Sequence, residues 1–133
     1  SIHTPLNDET RNMINRETVG WMKPGTIFVN CARGGLVDLD ALEWGLRHGP
    51  IGAAALDVFP EEPPASHSLM SAWLADEEWL RGRLCVTPHC SFYSEATFAE
   101  IRHGAAATAA AYLQDGNLNN CVNEAYLDAP KAE

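Results

Sequence analysis

Apolar residues fall along this chain in three short continuous runs, separated by stretches of helical period. The runs are Thr26-Ile27-Phe28-Val29-Asn30, Ile51-Gly52-Ala53-Ala54-Ala55-Leu56 and Leu84-Cys85-Val86-Thr87. Their length and their β-branched and aromatic content predict buried strands. The second run does not alternate, as expected of a parallel strand covered on both faces. Pro88 stops the third. Between the first two, Asp38 caps a predicted helix whose face carries Leu39, Leu42 and Leu46, ending near His48-Gly49-Pro50. Ahead of the first, Asn7-Asp8-Glu9-Thr10 opens a segment with Met13, Ile14, Val19 and Trp21. It predicts one or two short helical pieces before the breaker Lys23-Pro24-Gly25.

The connection from the second run to the third, 60–82, is too long to be structureless. Leu69, Met70, Trp73, Leu74, Trp79 and Leu80 within it predict a short helix over 68–80, packed by its two tryptophans. The longest helical pattern runs from Ser94 to about Leu113, with Phe98, Ile101, Ala105, Thr108 and Tyr112 near one face. Its alanines between 105 and 111 allow close approach of a neighbouring backbone. A tail over 123–133, past Tyr126 above all, is expected to fray.

Strand, helix, strand, excursion, strand, helix is the order of an α/β fold, a parallel sheet with helices on its faces. Ile2-His3 has the character of the end of a further strand. In such sheets ligands bind outside the carboxyl ends of the strands. The first run delivers Asn30-Cys31-Ala32-Arg33-Gly34-Gly35 to that edge, the second Asp57 and then Glu61 and Glu62, the third His89. A guanidinium, carboxylates and an imidazole therefore converge. Such a set suits a 2-oxo or 2-hydroxy acid: a guanidinium forks onto the carboxylate, a histidine supplies the proton for a forming alkoxide, and a carboxylate on the other ring nitrogen fixes the tautomer. Plainer readings stand beside it. Arg33 could pair with the acidic stretch, Asp57 could cap a turn, His89 could be a turn residue after Pro88, and Glu62 before Pro63-Pro64 could be solvated.

Composition narrows the partners. The formal charge is -9, and between Asp38 and Glu78 nine acids face one base, Arg47. That surface repels phosphate backbones, so direct nucleic-acid binding is not expected. No stretch reaches the roughly 18 apolar residues of a membrane span, and the N-terminus lacks the features of a secretory signal. Cys31, Cys85, Cys90 and Cys121 lie in or beside apolar runs, which predicts buried thiols in a reducing cytoplasm. Cys85, His89 and Cys90 lack a fourth ligand and a chelating spacing, so no metal site is expected.

Four blocks in order resemble the D-isomer-specific 2-hydroxyacid dehydrogenase family. They are His3-Thr4-Pro5-Leu6 with Glu9-Thr10; Val29 to Asp38 with Ala41-Leu42; Ala54-Ala55-Leu56-Asp57-Val58-Phe59 with Glu62-Pro63; and Thr87-Pro88-His89. Gly34-Gly35, Tyr93-Ser94-Glu95 and Asn120-Cys121-Val122-Asn123 are similar to its C-terminal-binding-protein-like, corepressor-like subgroup. The resemblance implies a partial Rossmann-like NAD-binding domain over 1–122, a cytoplasmic homodimer, and interconversion of a D-2-hydroxyacid and a 2-oxo acid. It implies Arg33 as the anchor of substrate carboxylate and carbonyl, His89 as acid/base, and Glu62 as its partner. Thr4, Pro5, Leu6, Thr10, Cys31, Ala32, Arg33, Asp57 and His89 would line the cofactor, with Cys90 and Phe92 beside the substrate. Phe92 stands where corepressor-like members carry tryptophan, which removes one donor. The subgroup also implies an alternative role, an NAD(H)-responsive scaffold for partner proteins. No G-x-G-x-x-G occurs in the chain. That loop and a substrate-binding domain are expected upstream, and the 133-residue polypeptide alone is expected to be inactive.

Overall fold

The computed structural model describes residues 1–64 and 67–127, and forms two compact units, Ser1–Ser91 and Phe92–Glu133. The first unit is a three-stranded, wholly parallel sheet in the order β1 (Thr26–Asn30), β2 (Ile51–Leu56), β3 (Leu84–Val86). Ile2 extends it beyond β1 through one parallel bridge to Asn30, as its strand-end character suggested. Short helices α1 (Arg16–Gly20), α2 (Leu39–His48) and α3 (Ser68–Leu74) lie in the connections.

Caps set the helix starts. Asn15 accepts from the N–H groups of Glu17 and Thr18 while Thr18 answers with its own hydroxyl, a reciprocal box. Asp38 accepts from Asp40 and Ala41 at the start of α2, as its sequence position predicts. Asn7 to Thr10 forms a turn on the Asn7 carboxamide instead of a helical piece. The α3 helix is shorter than the predicted 68–80. It stops at Ala75, and Asp76 at φ +50° turns the chain out of the helix.

Register explains the core. Phe28 pairs with Ala54 and Ala54 with Leu84, so these side chains share one face. They pack with Val19, Leu42, Leu46, Leu69 and Met70 in one apolar cluster. Successive strand residues point to opposite faces. The other face is not covered as predicted: Ile27 is 71% exposed, and Ala53 and Ala55 are only partly buried. The predicted burial of the thiols fails for the same reason. Cys85 lies on that open face of an edge strand, Cys31 and Cys90 stand past strand ends, and all three are exposed, with Cys121 intermediate.

The acidic excursion is docked rather than merely solvated. His67 meets Asp40 at 3.2 Å, Ser68 donates to Glu43 at 2.5 Å, and Arg47 stacks on the Trp79 ring. Burial pushes the Glu43 carboxyl up, but the Ser68 and Arg47 bonds outweigh it and hold it below its ordinary value. Arg83 closes the structure. Its guanidinium donates to the carbonyls of Gly52, Trp79, Leu46 and Ile51 at 2.7–3.0 Å, joining α2, β2 and the excursion. Arg83→Met should cost about 3 kcal/mol in a urea titration, because charge-assisted bonds to carbonyls would be lost together. Arg81→Met, which removes only an exposed pair with Asp76, should leave the midpoint nearly unchanged.

The second unit holds α4 (Glu95–Asp115), close to the predicted bounds. Ser94 caps its start and Gly116, in the left-handed region, ends it. None of its residues is buried, so the predicted apolar face is not enclosed. A 3-10 turn, Glu124–Tyr126, follows. The rest of the predicted tail, 128–133, lies outside the described residues. Among the described residues no helix is long and apolar enough to cross a membrane.

Candidate active site

The three strand ends build one crevice. At the end of β1, Asn30 is buried and its carboxamide spans the following loop: it accepts from the Ala32 N–H and donates to the Arg33 carbonyl, both at 3.0 Å. That loop then passes close to the chain after β2. A Cβ placed on Gly34 would lie 1.8 Å from the Phe59 carbonyl carbon, so only glycine permits the approach. The exposed Arg33 makes one hydrogen bond with its guanidinium, to the Ala32 carbonyl, and pairs with no carboxylate among the described residues. Its remaining donors are available to an anion.

The end of β2 supplies two acids with different tasks. Asp57 is 2% exposed, and its oxygens accept from the Thr87 hydroxyl, the Cys90 and Ser91 N–H groups and the Ser91 hydroxyl. Burial opposes its charge, but these four donors overcome the penalty and hold the carboxyl well below its ordinary value. Asp57 thus pins the loop 87–91. Glu62 accepts from the Phe59 N–H at 2.9 Å and meets His89 Nδ1 at 3.0 Å. The His89 bond first, and the Phe59 N–H after it, hold Glu62 below the usual glutamate range. An ionised Glu62 accepts a hydrogen bond from the Nδ1–H, which leaves Nε2 outside this pair. His89 itself sits at φ +52°, a sparsely populated region for a non-glycine residue, which often marks a functional position.

Asp57 yields a pH test. Its folded value lies below the ordinary 3.8, so its contribution to stability is complete above that value and lost as pH falls toward the folded one. Urea midpoints should fall as pH drops below about 4, and the gap between wild type and Asp57→Asn should narrow there.

Arg33, Glu62 and His89 line one cavity of about 530 Å³, with Leu6, Gly34 and Phe59 among its walls. An adjoining cavity of about 620 Å³ is lined by His3, Thr4, Pro5, Leu6, Ala32 and Arg33. Of the predicted cofactor residues, Thr4, Pro5, Leu6, Ala32 and Arg33 are therefore brought together. Thr10 supports them from behind through a bond from its hydroxyl to the Pro5 carbonyl. Cys31 is exposed beside this cavity but not part of its lining. Cys90 is exposed and held by Asp57, and Phe92, 52% exposed, opens the second unit. Asn30 and Gly34 shape the site without reacting groups. The sequence signal for Asn30 was a polar residue closing an apolar run.

Residues 1–91 match the model of the D-isomer specific 2-hydroxyacid dehydrogenase, NAD binding domain. The chain belongs to this family. Among curated relatives of this NAD-binding family, D-3-phosphoglycerate dehydrogenase of Methanocaldococcus jannaschii is 52% identical over 71 residues, 53% of this chain and 14% of the relative. The Bacillus subtilis D-3-phosphoglycerate dehydrogenase is 46% identical over 70 residues, 53% of this chain and 13% of that protein. The chain thus spans about an eighth of these relatives. The fold is similar to the NAD-complexed D-isomer specific 2-hydroxyacid dehydrogenase of Lactobacillus delbrueckii ssp. bulgaricus, with TM-score 0.72, 32% identity, and coverage of 91% of this chain and 38% of that one. All three of these proteins are dehydrogenases by name.

Proposed function

We propose that this chain carries the acid/base and carboxylate-anchoring part of an NAD-dependent dehydrogenase that interconverts a D-2-hydroxyacid and its 2-oxo acid. One observation supports this above the others: a guanidinium with no carboxylate partner among the described residues and an imidazole oriented by Glu62 line the same cavity. The cavity next to it suits the reactive end of the dinucleotide. Pro5, Leu6 and Ala32 offer apolar walls for a flat ring, and Thr4 a hydroxyl. NAD, when bound, supplies the redox chemistry. Arg33 holds the substrate carboxylate through a two-bond fork and keeps the carbonyl facing His89. His89 Nε2 donates a proton to the oxygen of a 2-oxo acid, or removes one from a 2-hydroxyacid. Glu62 keeps the ring oriented, and Asp57 keeps the loop 87–91 in place.

The experiment is NADH oxidation with a panel of 2-oxo acids, using the complete protein that bears this chain. Arg33→Lys should lower kcat/KM at least about a hundredfold, since a point charge cannot reproduce the fork. An unchanged kcat/KM would remove Arg33 from this role.

A further inference from the structure

Asn30 ends β1 and is 1% exposed. Its backbone is fixed from both sides of the strand. The Asn30 carbonyl accepts from the Asp57 N–H at 3.0 Å, and Ile2 makes its parallel bridge on the other side. The carboxamide then fixes the loop that follows. Its oxygen accepts from the Ala32 N–H and its amino group donates to the Arg33 carbonyl, each at 3.0 Å. The Arg33 guanidinium in turn donates to the Ala32 carbonyl at 2.7 Å. Three backbone groups of this turn are thereby engaged, two by Asn30 and one by Arg33 itself. Asp57, whose N–H holds Asn30, spends its side chain on the N–H groups of Cys90 and Ser91. The loop that carries Arg33 and the loop that carries His89 are therefore joined through Asn30 and Asp57.

Few side chains could serve at position 30. The site asks for one acceptor and one donor from a single short, buried group. Leucine fills similar space with neither, an ionised aspartate has no donor, serine falls one atom short, and glutamine is one carbon too long.

We propose that Asn30 is a positioning residue of the reaction: its carboxamide sets the turn 30–33 and so fixes where the Arg33 guanidinium meets the substrate carboxylate. The inference rests on the anchoring role given above to Arg33. Asn30 lines neither the cavity that holds His89 nor the one beside it, so its effect passes through the loop it holds. A fork of two parallel hydrogen bonds tolerates little displacement, because both bonds lengthen or bend together.

The test is a double-mutant cycle in the complete protein, at saturating NADH and with the fastest 2-oxo acid of the panel. Asn30→Leu should lower kcat/KM about tenfold or more when Arg33 is present. In an Arg33→Lys background, where the fork is already lost, the same change should cost less than about twofold. Asn30→Ser buries no charge and no extra bulk, and should repeat the pattern if Asn30→Leu lowers the urea midpoint too far for assay. Equal losses in the two backgrounds would overturn the inference, since a loosened fold lowers activity whatever stands at position 33. A wild-type kcat/KM for Asn30→Leu would overturn it too, as would failure of both variants to fold, which would leave Asn30 a structural role alone. An unchanged kcat/KM for Arg33→Lys, or no turnover with any acid, would instead overturn the functional reading, and this inference with it.

Discussion

His89→Gln is expected to reduce kcat by about 10²–10⁴-fold while NADH still binds. The amide matches part of the imidazole in size and polarity but cannot exchange a proton near neutral pH. Only the proton-transfer task is removed, because the proposed cofactor walls, Thr4, Pro5, Leu6 and Ala32, come from other segments. Steady-state kinetics with a fluorescence titration of NADH would check both halves. Turnover near wild type would show that His89 is not the acid/base. The bond from Nδ1 to Glu62 explains why a second group matters. A histidine free to rotate would present either nitrogen, and the φ of +52° that aims its side chain would serve no purpose.

Gly34→Ala should be as damaging, for a reason that has nothing to do with chemistry. The added carbon would fall 1.8 Å from the Phe59 carbonyl carbon, 2.0 Å from its oxygen and 2.4 Å from the Pro60 nitrogen. Backbone atoms cannot rotate away as a side-chain end can, so the two loops must separate. Overpacking of this kind costs about 3 kcal/mol. Separation also moves Arg33 away from Glu62 and His89, and a displacement of about 1 Å costs on the order of 10² in rate. A urea titration and kcat/KM on one preparation would show both losses. Gly20→Ala makes a fair control, since nothing lies within 4 Å of its added carbon. Equal behaviour of the two variants would disprove the steric account.

Periodic elements were legible because their causes are local. The three apolar runs became the three strands, and Asp38 and Ser94 begin helices as capping residues do. The length of α3 was not legible, because the apolar residues after Trp73 continue to suggest a helix while Asp76 turns the chain out of it. Cysteine burial was misread for a related reason. An apolar run marks a strand but does not say which face will be covered, and Cys85 lies on the open one.

The candidate site divides along the same line. Residue types and order already placed a guanidinium, three carboxylates and an imidazole at consecutive strand ends, because strand direction in a parallel sheet delivers each run to the same edge. Distances between segments could not follow from order. That Asp57 spends its oxygens on the loop 87–91 while Glu62 reaches the imidazole depends on bonds between residues about thirty positions apart. That Arg83 holds four carbonyls, and that an apolar space opens behind His89, depends equally on packing between distant elements. Local chemistry specifies what each segment can offer; only close packing of the folded chain decides which offers meet.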